Sequence, residues 1–207
     1  MRMRSVVIWS LVALFSILAT ADGSSRIVET DELLWFLDRP IGWGDFQGKP
    51  PVHAESTGQA AEIHTAIRWH LELVIEYDCQ QYLWKAIVNR GSLVATNTMD
   101  PTLSWVVPGR RTNTALRHEQ GHFDLNEVYR RKLQKALPAL AAEGDTAESA
   151  RHALQGLIDK TSEETLNQLA ETEERYDEET CHGTDLQGQA AWNQAIDAWL
   201  GDPDLAP

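Results

Sequence analysis

His118-Glu119-Gln120-Gly121-His122 reads H-E-x-x-H. Residues four apart in a helix share one face, so both imidazoles can reach a single metal ion. Glu119 follows the first histidine and points toward the adjacent side of that site. There it can take a proton from a metal-bound water as general base. Zinc is the usual ion of so nitrogen-rich a ligand set, and it lowers the pKa of its water toward about 7. Gly121 is out of place by propensity, since glycine inside a helix costs about 1 kcal/mol relative to alanine. It makes sense if another backbone or a side chain packs close to the metal-bearing turn. The bland alternative makes both histidines part of a polar helix face with Arg117, Glu119 and Gln120.

A catalytic zinc site takes three protein ligands and a water. His182, in Thr180-Cys181-His182-Gly183, is the leading candidate for the third, because the chain could return there to the first helix. His152, the acidic ladder Glu171, Glu174 and Glu178, and Asp185 stand as alternatives. Gly183-Thr184-Asp185 is similar to the aspartate-ligand class of zinc peptidases, without the tyrosine that follows in that pattern. Cys181 could ligate as a thiolate. Tyr176 can donate a hydrogen bond to the oxyanion of a tetrahedral intermediate, or sit in a helix packing stripe. Asp124 can orient a ligand histidine, or stand exposed. Trp43, Asp45 and Phe46 form either a substrate-side wall or a cover over the helix end. His64 and His70 are spaced for strand faces rather than chelation.

The elements that must position these residues change texture near Pro108-Gly109. Upstream, Ile63, Thr65, Ile67 and Trp69 alternate with His64, Ala66, Arg68 and His70, and Leu71, Leu73 and Ile75 continue the period of two. Tyr82 to Val88 and Leu93 to Thr98 read as two further strands joined by the turn Asn89-Arg90-Gly91-Ser92. Residues 33–51, rich in proline and glycine, read as a loop around Trp43 and Phe46. Downstream, Thr112, Asn113 or Thr114 caps a helix running to about Leu137, where Pro138 stops it. Asp145-Thr146-Ala147-Glu148 opens a second helix. Its stripe is Ala150, Leu154, Leu157, Ile158, Thr161, Thr165, Leu169 and Tyr176, with Gly183 just past its end. A last helix spans Ala190 to Leu200. Sheet first and helices after predict one α+β domain over residues 22–207, β-rich over 22–108 and helical over 109–207.

Residues 1–21 read as an export signal. Arg2 and Arg4 precede an apolar run from Val6 to Ala19, and Ala19-Thr20-Ala21 supplies the small-x-small cleavage pattern. The run is shorter than a spanning helix needs, so the expected product is secreted or periplasmic, with no stable membrane span. Eighteen Lys+Arg against 31 Asp+Glu give a net charge of −13. Such a chain lacks the basic footprint of a nucleic-acid binder. Cys79 and Cys181, an even pair in an exported chain, invite a disulfide. It would close a loop of about 100 residues and stabilise the fold by roughly 4–5 kcal/mol in the chain-entropy model.

Three segments carry a family resemblance. They are Trp43-Gly44-Asp45-Phe46-Gln47-Gly48, Leu116-Arg117-His118-Glu119-Gln120-Gly121-His122-Phe123-Asp124, and Tyr176-Asp177-Glu178-Glu179-Thr180-Cys181-His182-Gly183 with Gln189 and Trp192 beyond. In this ordered trio the chain resembles the bacterial family of predicted secreted zinc-dependent peptidases. The resemblance implies a zinc peptidase-like fold with His118, His122 and His182 as ligands and Glu119 as base. The expected function is hydrolysis of a peptide or protein substrate by a zinc-activated water. A zinc-stabilised binding or assembly module of the cell envelope, without turnover, is the alternative.

Overall fold

A computed structural model of the chain describes residues 7–13, 32–52, 54 and 59–207. It is α+β, with an antiparallel sheet followed by long helices. The strands are β1 (Val7–Ala13), β2 (Leu33–Leu34), β3 (Ala61–Glu62), β4 (Thr65–Asp78), β5 (Leu83–Val88), β6 (Val94–Met99), β7 (Trp105–Val106) and β8 (Ala141–Gly144). The helices are α1 (Asn113–Ala136), α2 (Ala147–Thr180) and α3 (Leu186–Gly201).

The main sheet runs β2-β6-β4-β5-β8, with β1 also paired to β4. The expected alternation from Ile63 onward becomes one 14-residue strand, β4. Thr65–His70 pair with β6 and Leu73–Asp78 with β5. Trp69, Leu71, Leu73 and Ile75 of β4 are buried against Leu133 and Leu137 and against Ala150, Leu154 and Ile158 of α2. Each such large apolar side chain contributes roughly 1.5–3 kcal/mol by leaving water. The alternate residues Arg68, His70, Glu72 and Glu76 stay partly exposed on the other face. β3 and β7 form a separate two-stranded ribbon.

Local signals set the helix ends. Thr112 Oγ1 accepts from the Ala115 N–H at 3.0 Å, satisfying one of the orphan donors that open a helix. Thr146 and Ser149 form a reciprocal capping box on α2. At its other end Cys181, His182 and Gly183 take left-handed φ values of 48°, 52° and 77°. This turn is crowded for its two non-glycine residues. Asp185 then caps α3, accepting from Gln187 and Gly188 N–H.

Two expectations need correction. β8 interrupts the helical half, pairing with β5 between α1 and α2. Cys79 and Cys181 are free and exposed, so the expected disulfide does not form. The physical reason is the length of α2. Pairing of Trp84 with Gly144 places the β4–β5 hairpin, where Cys79 lies, near the start of α2. Cys181 caps the far end of that helix, 34 residues on, or about 50 Å at 1.5 Å per residue. Within the expected signal segment, Val7–Ala13 form β1 against β4; its remaining residues lie outside the described ones. Among the described residues no helix is long and apolar enough to cross a membrane.

Candidate metal centre

The first helix presents its H-E-x-x-H face to the last two turns of α2. A Cβ at Gly121 would lie 2.1 Å from Tyr176 Oη and 2.6 Å from its Cζ. Glycine at that position therefore lets the Tyr176 ring enter between the two histidine turns, the close approach expected from the sequence. The ring stacks on His118 at 4.7 Å between centroids and meets His122 edge-on at 4.9 Å. Gly183 plays the same part on the far side, where a Cβ would stand 2.7 Å from His118 Cβ.

Packed this way, α1 and α2 bring His118, His122 and Asp177 together. One ligand atom from each lies within 4.8 Å of the others. His118 Nε2 and His122 Nε2 stand 3.0 and 3.1 Å from the same oxygen, Asp177 Oδ1. Two imidazole nitrogens and one carboxylate oxygen form a donor set suited to a divalent transition ion.

Hydrogen-bond polarity behind His118 supports that fit. The His118 backbone carbonyl can only accept, so Tyr176 Oη donates to it, at 2.9 Å. Tyr176 Oη must then accept from Gln189 Nε2, at 2.8 Å. That turns Gln189 Oε1 toward His118 Nδ1, at 3.2 Å, where Nδ1–H donates. A proton placed on Nδ1 leaves the Nε2 lone pair of a neutral ring facing Asp177 Oδ1. Two acceptors at contact distance are joined by a cation, either a proton or a metal ion. Behind His122, Glu173 Oε1 is 3.7 Å from Nδ1 and accepts from Asn126 Nδ2 at 3.0 Å.

Charges in the metal-free chain follow from these contacts. Burial pulls His118 below its ordinary value. Burial also opposes charge on His122, but the hydrogen bond to Asp177 and the nearby Glu173 carboxylate outweigh it and push His122 up to about 10. Burial would raise Asp177, yet its contacts with His118 and the charged His122 hold its carboxyl well below the usual range. Burial pushes Glu119 up to about 7, against the attraction of His122 and the hydrogen bond from the Ile63 N–H.

The triad and Glu119 open onto a cavity of about 430 Å³ between β3, α1 and α2. His182 lies on its rim, 74% exposed, with Nδ1 3.4 Å from Asp177 Oδ1. It stands beside the triad rather than within it. Tyr176 is fully buried, and its hydroxyl proton goes to the His118 carbonyl rather than to the cavity. Asp124 accepts from Trp35 Nε1 and Gln120 Nε2, so it braces the N-terminal loop and not a histidine. Trp43 and Phe46 pack with Phe123 and Leu116 behind the site, as a cover. Asp45 accepts from the Gly42 N–H in the same loop. His152 is an exposed neighbour of Glu148 early in α2, and Asp185 is occupied as a cap. Glu174 reaches the cavity wall, while Glu171 and Glu178 do not.

Asp177, Glu173 and the histidine-orienting role of Gln189 went unassigned in the sequence. Helical spacing was the signal, because Glu173 and Asp177 flank the packing positions Thr172, Tyr176 and Thr180 on the face turned to α1. Residues 100–183 match the family described as bacterial protein of unknown function (DUF922). The matched span holds all of His118, Glu119, His122, Asp177 and His182, and leaves out the Trp43–Gly48 segment and Gln189. That description names no activity. No curated protein and no solved structure matches the chain.

Proposed function

We propose that the chain is an exported zinc-dependent metallopeptidase, secreted or periplasmic, with the cavity beside His118, His122 and Asp177 as its active site. The observation that carries this is the convergence of three ligand atoms with a buried carboxylate, Glu119, in one cavity. His118, His122 and Asp177 would hold the ion. An ion bound there supplies Lewis acidity toward a substrate carbonyl and acidifies a water.

The chain's own groups do the rest. Glu119, buried in the same cavity as the three ligand atoms, is placed to act first as base and then as acid. It takes a proton from the attacking water as the water oxygen bonds to the peptide carbonyl carbon. It returns that proton to the nitrogen as the C–N bond breaks. The Ile63 N–H, 2.9 Å from Glu119 Oε2, fixes one carboxylate oxygen and leaves the other to act. Gln189 and Tyr176 hold His118 in the tautomer that presents Nε2, a positioning role.

His182 supports a second possibility. Placed 3.4 Å from Asp177, it could close the coordination as a fourth protein ligand and make the centre a structural clamp between α1 and α2. Glu119→Gln separates the two. A peptidase loses hydrolysis of unstructured protein substrates by a hundredfold or more, on the order of a lost general base, while keeping its zinc. A protein that never hydrolyses peptides when zinc-loaded, and whose thermal stability collapses on chelation, is the clamp.

A further inference from the structure

The cavity wall is acidic on both sides. Glu62 of β3 faces Glu119 of α1 and Glu173, Glu174 and Asp177 of α2, and among the described residues no lysine or arginine lines the cavity. Arg110 approaches from outside it and is directed to the Gln59 carbonyl. Of these five carboxylates, a divalent ion offsets the charge of two. Glu62 is held by His64 Nε2 at 3.0 Å, and Glu173 by Asn126. Glu174 is exposed and has no ion-pair partner among the described residues. It stands one helical turn before Asp177, on the cavity wall. A ligand lying along that wall comes against this carboxylate. Covering a charge without supplying its opposite costs affinity, whereas an opposite charge there forms a charge-assisted hydrogen bond.

We infer that the site selects peptides bearing a cationic side chain, lysine or arginine, next to the bond in the cavity, with Glu174 as the specificity-determining residue. This rests on the peptidase reading for its chemistry but not for its recognition. The net charge of −13 acts in the same direction, drawing cationic ligands and repelling acidic ones. Selection is thus partly exclusion: an aspartate, glutamate or phosphate group in the same place meets the carboxylates of both walls.

The test is a binding measurement on the Glu119→Gln protein, with and without added zinc. Its probes are two labelled peptides of one alanine–leucine frame, carrying a central arginine or a central glutamate. Fluorescence anisotropy should show the arginine peptide bound about tenfold more tightly, the order expected of one complementary charge pair. Adding Glu174→Gln should shrink that ratio to about threefold. Adding Glu171→Gln, which removes the same charge from an exposed position off the cavity, should leave it in place. Equal affinity for the two peptides overturns the inference. So does equal shrinkage by both variants, which would reduce the preference to the overall field. Hydrolysis by the zinc-loaded wild type is read separately. A charge preference without cleavage refutes the peptidase and keeps the inference; cleavage without a preference does the reverse.

Discussion

Glu119 carries an electrostatic cost that the metal-free chain must bear. Its ordinary value of 4.5 rises to about 7 in the folded chain. Below the ordinary value it is protonated in both states and costs nothing. As pH rises, the unfolded chain releases the proton first, so stability falls until the folded value is passed. The penalty reaches about 3 kcal/mol by pH 8 and about 1 kcal/mol at pH 5. Glu119→Gln in a chelator should therefore gain about 2 kcal/mol on the wild type between those two pH values, read from urea denaturation. A constant gap would contradict the burial of an ionisable carboxyl here. His122 shifts the other way: the stability from its raised value is present near pH 6 and is lost as pH climbs through about 10. At this scale the sequence made His118, Glu119, Gly121 and His122 legible because their spacing is local. Asp177 was not, because whether a helix carboxylate faces a partner depends on how α2 lies against α1, which no local pattern records.

Between elements, the contact of α1 with α2 depends on small residues. Ser162, Thr165, Thr172 and Thr180 are buried along α2, and each hydroxyl donates to the carbonyl four residues back. That lets polar side chains occupy a packing stripe without unsatisfied groups. Gly121→Ala places a methyl 2.1 Å from Tyr176 Oη. Overpacking of this kind costs about 1–3 kcal/mol or more, so thermal denaturation should show a loss of several degrees. Tyr176→Phe should not rescue it, because Cζ would still lie 2.6 Å away. A variant as stable as the wild type would mean that the helices pack farther apart. Helix caps and the long strands were readable because Thr112, Thr146, Pro138 and the β4 alternation are strong local signals. β8 was missed because Ala141–Gly144 is short, half exposed and without apolar alternation.

For the molecule as a whole, the length of α2 separates two features that sequence counting had joined. With Cys79 and Cys181 at its opposite ends, both thiols are free and exposed. A thiol-reactive probe should label both in the native, unreduced protein, and the intact mass should lack the 2 Da deficit of a disulfide. Protection of both without denaturant would contradict the placement of these ends. The same helix ties the core to the site: its first half packs on the sheet, and its second half carries Glu173, Glu174, Tyr176 and Asp177 to α1. The proposed hydrolysis depends on the metal centre those halves align. The most direct test is zinc content and affinity by competition titration of the wild type, Asp177→Ala and His182→Ala. One zinc per wild-type chain, an affinity reduced roughly a hundredfold or more by Asp177→Ala, and a small effect of His182→Ala are the expected results for three ligands with an open position. Zinc bound equally well without Asp177, or not bound by the wild type at all, would contradict the centre.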